Sequence, residues 1–188
     1  MIYKILDENY SDDDLVELSQ LHKKILTDSI ATNMSKDSLS NLYKLFISNK
    51  ILRVANVYDD NHLLGSVSIV INNFPSFKFS KDYVKIFYYL ATSYVRRPFN
   101  TLSESIYKYF AYRNVISDIN IIFLFVDEEY RNRDLGSKLI EFVLTDIKGV
   151  ITVDTNISNK KAIKFYKKNN FKITKTTEKK IVLSLNQN

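Results

Sequence analysis

The sequence of 188 residues contains no cysteine and no tryptophan, and only three glycines, two prolines and two histidines. The absence of cysteine excludes disulfide bonds and thiolate metal sites. Two histidines, His22 and His62, are too few for a histidine-based metal site. The chain also lacks an apolar run of ~18 residues, so a transmembrane helix is not expected. Its first residues soon turn acidic instead of following the basic-then-apolar order of a signal peptide, which favours a cytoplasmic protein.

The overall composition is that of an ordinary globular protein. Apolar residues make up 45% of the chain, which is enough for a core, and charged residues make up 26%. The length of the chain predicts a single domain over residues 1–188. The net charge is +6, and its sign favours an anionic partner. Residues 168–180 supply much of this charge, but charge runs are usually solvated faces. We therefore expect no nucleic-acid partner and no membrane partner.

The first 72 residues are predicted to form two helices followed by a hairpin. Residues 11–26 have Ser11 as an N-cap, acids in the first turn and a leucine stripe, and residues 35–48 show a similar apolar face. Residues 51–58 and 63–72 are β-rich and are separated by the turn sequence DDNH, which predicts an antiparallel hairpin.

Residues 80–116 are dense in aromatic side chains. Two helices are predicted, over 83–95 and 103–115, with a boundary forced by Pro98. The aromatic residues follow a helical period, which is typical of core packing, but tyrosine also suits the wall of an acceptor pocket because it has an apolar body and a polar tip. Base stacking by these rings is the least favoured reading.

The C-terminal half alternates strands and helices. Residues 119–126, INIIFLFV, predict a strand buried on both faces, followed by a turn and a helix over 135–147 that ends near Gly149. A strand over 150–155, a helix that begins at Ser158 and strands over 171–176 and 179–185 complete the prediction.

The turn sequence YRNRDLGSKL, residues 130–139, places one of the three glycines where a strand gives way to a helix. The free N–H groups of a first helical turn form an anion site, glycine permits close approach, and the two arginines ahead of it add directional donors. A P-loop and a dinucleotide fingerprint both need glycines that this turn lacks, so it must hold its anion in another way.

Residues 125–144 resemble the acyl-CoA-binding motif of the GNAT superfamily of N-acetyltransferases, Gln/Arg-x-x-Gly-x-Gly/Ala between a strand and a helix. Arg131 takes the first place and Gly136 the last, whereas Asp134 replaces the middle glycine. This departure puts a carboxylate close to the expected pyrophosphate, so either its side chain points outward or the affinity for the coenzyme falls.

Residues 159–171 are similar to a second signature of the same family, Asn-x-x-Ala-x-x-x-Tyr-x-x-x-Gly-Phe. Asn159, Ala162, Tyr166 and Phe171 match, and Asn170 replaces the glycine, a mild change because asparagine tolerates the left-handed conformation. The resemblance implies an α/β (α+β mixed) fold: a GNAT-like central mixed, mostly antiparallel sheet of about six to seven strands flanked by helices, with a helical aromatic-rich insertion before the fourth strand.

The resemblance also implies a site. The main chain of Leu124, Phe125 and Val126 would pair with the pantetheine arm of acetyl-CoA, and Asn159 would contact the coenzyme. Tyr166 would protonate the departing thiolate or hydrogen-bond the sulfur. The pyrophosphate would be wrapped by the turn, that is by Arg131, Asn132, Arg133, Asp134, Leu135, Gly136 and Ser137.

The general base is less defined. Many members of the family have a glutamate early in the fourth strand, where this chain has Asn120. Asn120 cannot take a proton but could hold a water that does, and Asp118 or Glu104 are alternative acids. The acids of residues 127–129 are expected to be solvated turn residues.

Three functional hypotheses follow. The leading one is an enzyme that moves an acetyl group from acetyl-CoA to a primary amine of a small molecule, of amino sugar, amino acid or polyamine type. The second makes the acceptor a protein N-terminus or lysine, and the third is a non-catalytic acyl-CoA-binding module. A homodimer is a further expectation, with the last strand, residues 179–185, as an edge.

Overall fold

The computed structural model describes residues 1–6, 10–27, 33–71 and 117–187. The predicted helices at 83–95 and 103–115, the boundary at Pro98, the aromatic insertion and Glu104 lie outside the described residues. Among the helices of the described ranges, none has the length and apolar character needed to span a bilayer.

The two N-terminal helices begin where their serine caps predict. Helix α1 spans Asp12–Ile25, and Ser11 forms a reciprocal capping box with Asp14, whose backbone N–H donates to the Ser11 hydroxyl over 3.1 Å. Helix α2 spans Lys36–Ser48 and is capped by Ser35. Both helices bury leucines on one face, as the periodicity predicts.

Within the described residues, seven strands form one sheet in the order β1-β2-β3-β4-β5-β7-β6. The parallel pair in it is β4 with β5, and the other neighbours are antiparallel. The predicted mixed, mostly antiparallel sheet is confirmed. The strands are β1 Ile2–Leu6, β2 Arg53–Asp59, β3 His62–Ile71, β4 Ile119–Val126, β5 Gly149–Asn156, β6 Lys172–Thr176 and β7 Lys180–Gln187.

Helices pack on both faces of the sheet and enclose two cores. Helix α3 spans Leu135–Val143 and helix α4 spans Lys160–Lys168. We call the apolar cluster between the sheet and α3 and α4 the first core, and the cluster between the sheet and α1 and α2 the second core. Strand β4 contributes to both, with Ile119 and Ile121 in the first core and Phe125 in the second. This agrees with its continuous apolar sequence.

Strand β1 has no counterpart among the predicted elements; it pairs with β2, which follows it by some fifty residues. Three sequence-based expectations are corrected. Helix α3 ends at Val143, and Gly149, expected as the residue after that helix, instead begins β5 with a φ of 127°. A Cβ there would lie 2.6 Å from an Asp118 carboxylate oxygen. Helix α4 begins after Asn159 rather than at Ser158.

The last strand is not an edge. Strand β7 lies between β5 and β6, so its hydrogen-bonding groups are occupied on both sides, and the sheet edges are β1 and β6. The proposal that residues 179–185 supply the edge of a dimer is therefore wrong.

Candidate active site

Strands β4 and β5 run side by side for only part of their length. They pair at Ile119–Ile151, Asn120–Thr152 and Ile121–Val153, and the pairing ends there. Both strands continue to Val126 and Asn156. A gap therefore opens between residues 122–126 of β4 and residues 154–156 of β5, and we refer to it as the β4–β5 gap.

A β-bulge accompanies the opening of this gap. On β3, Ser68 and Ile69 are consecutive, but their partners on β4 are Phe123 and Ile121, so Ile122 is the extra residue. A bulge bends the strand that carries it and increases its twist. Beyond the bulge β4 stays paired with β3 while it leaves β5.

The end of β4 directs main-chain groups into the gap. Asp127 N–H donates to Leu64 O of β3 over 2.8 Å. Because groups alternate along a strand, the main-chain groups of Leu124 and Val126 point away from β3, toward the gap, and those of Phe125 point toward β3. Gly65 permits this close approach, since a Cβ there would lie 2.9 Å from Phe125 O.

The segment after β4 is a tight turn with two left-handed residues. A 3₁₀ turn over Glu128–Tyr130 leads to Asn132 with a φ of 66° and Asp134 with a φ of 55°. Asparagine and aspartate tolerate this conformation better than other non-glycine residues. The family's middle glycine therefore has a workable replacement in Asp134.

The two arginines of the turn contact residues that lie close to them in the sequence. Arg131 Nη1 is 2.9 Å from a Glu128 carboxylate oxygen, and its Nε donates to Val126 O over 3.3 Å. The guanidinium of Arg133 stacks over Tyr130, 4.9 Å from the ring centroid. Both side chains remain near the start of α3.

Helix α3 begins without a side-chain cap. Asp134 is the N-cap residue, but its side chain accepts no hydrogen bond from the helix. The first intrahelical bond runs from Lys138 N–H to Asp134 O, which leaves the N–H groups of Leu135, Gly136 and Ser137 without an acceptor in the helix. Three such groups at the positive end of a helix dipole suit an anion.

Asp134 turns its carboxylate away from these amides. Its Oδ1 accepts from Lys168 Nζ at the end of α4 over 2.8 Å. The lysine holds the pKa of the Asp134 carboxyl below its usual range, so the group is ionised and paired. The outward orientation is one of the two alternatives that the sequence left open.

Gly136 has a packing role in addition to the one predicted for it. A Cβ at this position would lie 3.0 Å from Cζ and 3.1 Å from Cε2 of Phe165. The glycine thus lets the first turn of α3 approach α4.

Helix α4 holds Tyr166 in a defined place. Asn159 caps the helix, with its Oδ1 accepting from Ala162 N–H over 3.0 Å, so its side-chain NH₂ group is what it can offer to a ligand. At the other end, Asn170 is left-handed with a φ of 66°, and Phe171 N–H donates to Tyr166 O over 3.0 Å. This is a Schellman motif, and it stacks Phe171 on Tyr166 with ring centroids 5.4 Å apart.

Tyr166 is buried among aromatic rings in the first core. It is 6% exposed, and its ring also lies 5.2 Å from that of Phe165. Burial, with a further contribution from the charge of Asp154, raises its pKa well above the ordinary tyrosine value. The phenol is therefore protonated at neutral pH and is able to donate a proton.

The two base candidates that the structure describes lie before the gap and carry structural contacts. Asn120 Oδ1 accepts from Thr152 Oγ1 of β5 and from Ser117 Oγ over 3.3 Å. The Asp118 carboxylate accepts from Val150 N–H over 2.8 Å at the start of β5. The Asp118 carboxylate is thus held at Val150, which lies four residues before Asp154 on β5. Four residues of strand span roughly 13 Å, and Asp154 lies where the gap opens.

Sequence reasoning missed two ion pairs near the site. Asp127, expected to be a solvated turn acid, is 4% exposed, and its Oδ2 lies 2.7 Å from Lys24 Nζ of α1. Asp154 Oδ2 lies 2.9 Å from Lys180 Nζ, and both side chains are nearly buried. The partners in each pair are too distant in sequence for a local pattern to reveal them.

The candidate site has three parts. The uncapped start of α3 can hold an anion, the edge of β4 can pair with an extended chain, and the phenol of Tyr166 can donate a proton.

Residues 103–173 match the family model described as "Acetyltransferase (GNAT) domain". Among curated proteins, no relative matches the sequence.

Solved structures share the fold at low sequence identity. The PaiA N-acetyltransferase from Thermoplasma acidophilum, in complex with coenzyme A, is 15% identical with a TM-score of 0.59, and the match covers 99% of each chain. NAA60 of Arabidopsis thaliana, in complex with acetyl-CoA, is 14% identical with a TM-score of 0.57, and 98% of this chain and 97% of that chain are covered. Mutant forms of the spermidine/spermine N-acetyltransferase SpeG from Vibrio cholerae are similar at 16% identity and a TM-score of 0.57, with coverage of 99% and 95%.

Proposed function

We propose that this chain, in which residues 103–173 match the GNAT acetyltransferase domain model, moves an acetyl group from acetyl-CoA to a primary amine of a small molecule. The observation that carries the proposal is the β4–β5 gap, taken together with the uncapped start of α3 and the protonated phenol of Tyr166 in the first core. An extended ligand with an anionic end and a reactive thioester fits these three features.

Acetyl-CoA is the proposed cosubstrate. Its pyrophosphate would accept from the N–H groups of Leu135, Gly136 and Ser137, in a turn completed by Arg131, Asn132, Arg133 and Asp134. The main chain of Leu124 and Val126 would pair with the pantetheine amides, as a strand pairs with an added strand. Asn159 would donate from its side-chain amide. The two similar structures with bound coenzyme support this cosubstrate.

The reaction would be direct attack of the amine on the thioester. A main-chain N–H at the gap edge of β4, near Val126, would polarise the thioester carbonyl, and fixed donors of this kind contribute strongly to acyl transfer. Tyr166 would give its phenol proton to the thiolate as the C–S bond breaks. Its raised pKa suits this role, because the donor remains protonated across the physiological range.

The acceptor is proposed to be a small amine of polyamine, amino sugar or amino acid type. The similarity to SpeG, named a spermidine/spermine N-acetyltransferase, supports this class. The similarity to a ribosomal-protein-S18-alanine N-acetyltransferase of Escherichia coli supplies the competing class, a protein N-terminus. An acceptor screen has to include both.

The first test is thermal unfolding with acetyl-CoA or free CoA. A ligand at ~100 times its dissociation constant stabilises the folded state by about 2.7 kcal/mol, which raises the melting temperature by several degrees. No shift at millimolar coenzyme would contradict the proposed coenzyme site.

The second test is thiol release from acetyl-CoA in the presence of polyamines, amino sugars, amino acids and short peptides with free N-termini. Faster release with a small amine, together with the acetylated product detected by mass spectrometry, supports the proposal. If only peptides were acetylated, the acceptor would be a protein and not a small molecule. Coenzyme binding with no release under any condition would favour the non-catalytic alternative.

A further inference from the structure

Asp154 lies where β4 and β5 part. The last pair between the strands is Ile121 with Val153, so Asp154 is the first residue of β5 beyond that pair. On its other side β5 remains paired with β7, where Asp154 is opposite Val182. The strand that carries Asp154 is therefore held by β7 at the point where its pairing with β4 has ended.

The Asp154 side chain and Tyr166 lie on opposite faces of the sheet. Val153 packs in the first core together with Tyr166, and successive side chains of a strand point to opposite faces. Asp154 thus points to the face that bears α1 and α2. The two groups are near enough for the charge of Asp154 to raise the pKa of the phenol.

A nearly buried lysine fixes the carboxylate. Lys180 Nζ lies 2.9 Å from Asp154 Oδ2, and the side chains are 7% and 11% exposed, respectively. Lys180 is diagonal to Asp154 across the β5–β7 ladder, where its direct partner is Asn156. Buried ion pairs are costly to form, so this pair is weak evidence for stability alone.

We propose that Asp154, held by Lys180, is the catalytic carboxylate that receives the proton of the attacking amine. This inference rests on the proposed function and supplies the base that the sequence did not identify. Asp118 is displaced from the opening of the gap by roughly 13 Å of strand, and an amide such as Asn120 has no proton affinity of the required kind.

The step balances without any further reactant. The nitrogen lone pair of the neutral amine forms the C–N bond to the thioester carbon, and the nitrogen becomes positively charged and acidic. The Asp154 carboxylate takes one of its protons. The tetrahedral adduct collapses, the C–S bond breaks, and Tyr166 gives its phenol proton to the thiolate. Transfer of the proton from Asp154 to the tyrosinate through solvent restores both groups.

The test separates a base from a mere ion-pair partner by a double-mutant cycle. D154N keeps the shape of the side chain and removes the negative charge of the pair, K180Q removes the positive charge, and D154N/K180Q removes both charges. Each variant is assayed for thiol release from acetyl-CoA with the best amine of the screen and with water alone. Coenzyme binding is measured in parallel by thermal shift.

We expect D154N and D154N/K180Q to bind acetyl-CoA as the wild type does and to lose turnover by roughly 10²- to 10⁴-fold, the usual contribution of a proton-transfer group. D154E should recover part of the lost rate. If the pair were only structural, the charge-balanced double variant would regain turnover to within a few-fold of the wild type, and that result would overturn the inference. Wild-type turnover in D154N would also overturn it.

The proposed function fails by a different result. If the wild-type protein binds acetyl-CoA but releases no thiol with any amine or with water, the proposal that the site is catalytic is wrong. The proposed role of Asp154 is then wrong as well. A protein active as wild type and inactive as both D154N and D154N/K180Q supports the two proposals together.

Discussion

Lys24 Nζ lies 2.7 Å from Asp127 Oδ2 and joins the last turn of α1 to the residue that begins the proposed coenzyme turn. Asp127 also accepts from Glu129 N–H, and its own N–H donates to Leu64 O. The Asp127 carboxylate therefore links α1 to the turn, and the main-chain N–H of the same residue links the turn to β3.

Replacement of Lys24 by methionine should destabilise the protein in a pH-dependent way. Lys24 lowers the pKa of the Asp127 carboxyl, so the pair contributes stability above the ordinary aspartate pKa of about 3.9 and loses it as the pH falls through the lowered value. The melting temperature of K24M should be below that of the wild type at pH 7, and the difference should shrink toward pH 2. An equal difference at both pH values would contradict this account. K44M removes an exposed pair with Asp12 and is the matched control.

Asp134→Asn should strengthen coenzyme binding. Asparagine tolerates the left-handed backbone at this position, and the change removes a negative charge near the proposed pyrophosphate while freeing Lys168 to act on it. The gain should be small, because the carboxylate is exposed and water screens its charge. Calorimetric titration with CoA at low and high salt would measure it, and the gain should decrease with salt. K168M should weaken the binding of CoA. If D134N bound CoA with unchanged affinity, the phosphates would not lie at this turn.

Gly136→Ala should destabilise the protein in spite of the better helix propensity of alanine. The propensity gain is about 1 kcal/mol, whereas overpacking against Phe165 typically costs about 1–3 kcal/mol. We expect a net loss of about 1 kcal/mol in urea unfolding, because the Phe165 ring also contacts Tyr166 and has little freedom to move. In a protein that already carries F165L, Gly136→Ala should cost less stability than it does in the wild type. The stability effects of the two substitutions should therefore not be additive. If G136A were more stable than the wild type, the Phe165 ring would have to move to accommodate the added methyl group.

Tyr166→Phe should remove the proton donor and leave the fold in place. The ring contacts with Phe165 and Phe171 are retained, so the melting temperature and the affinity for acetyl-CoA should stay close to the wild type. Turnover should fall by roughly 10²-fold or more. Since the pKa of Tyr166 is raised, the wild-type rate should show no loss from its ionisation up to about pH 10. Wild-type turnover in Y166F would rule out the proton-donor role.

His22 should make the stability of the protein fall in mild acid. It is fully buried, its Nδ1 lies 2.7 Å from the Tyr43 hydroxyl, and burial lowers its pKa from 6.5 to about 4. The unfolded chain therefore binds a proton that the folded chain does not between these values, and stability should decrease as the pH falls from about 6.5 to about 4. The loss is on the order of 3 kcal/mol. Urea unfolding of the wild type and of H22Q across this range would measure it, and an equal slope in the variant would assign the loss to other groups.

The sequence alone determined the local features of this protein. Ser11 and Ser35 cap their helices because short polar side chains accept from free first-turn amides, and the continuous apolar run of residues 119–126 forms a strand with both faces covered. The two motifs around Gly136 and Tyr166 resemble those of the family whose model matches residues 103–173, because each combines a backbone requirement with a chemical group at fixed spacing.

The tertiary structure decided how distant segments meet. The bulge at Ile122, the parting of β4 from β5 and the lateral place of β7 depend on pairing between strands, and a periodic pattern shows which face a residue occupies but not which strand lies beside it. The Lys24–Asp127 pair joins residues 103 positions apart, and the Asp154–Lys180 pair joins residues 26 positions apart. These contacts form only when the sheet has assembled, because burial between packed elements is what brings such charges together.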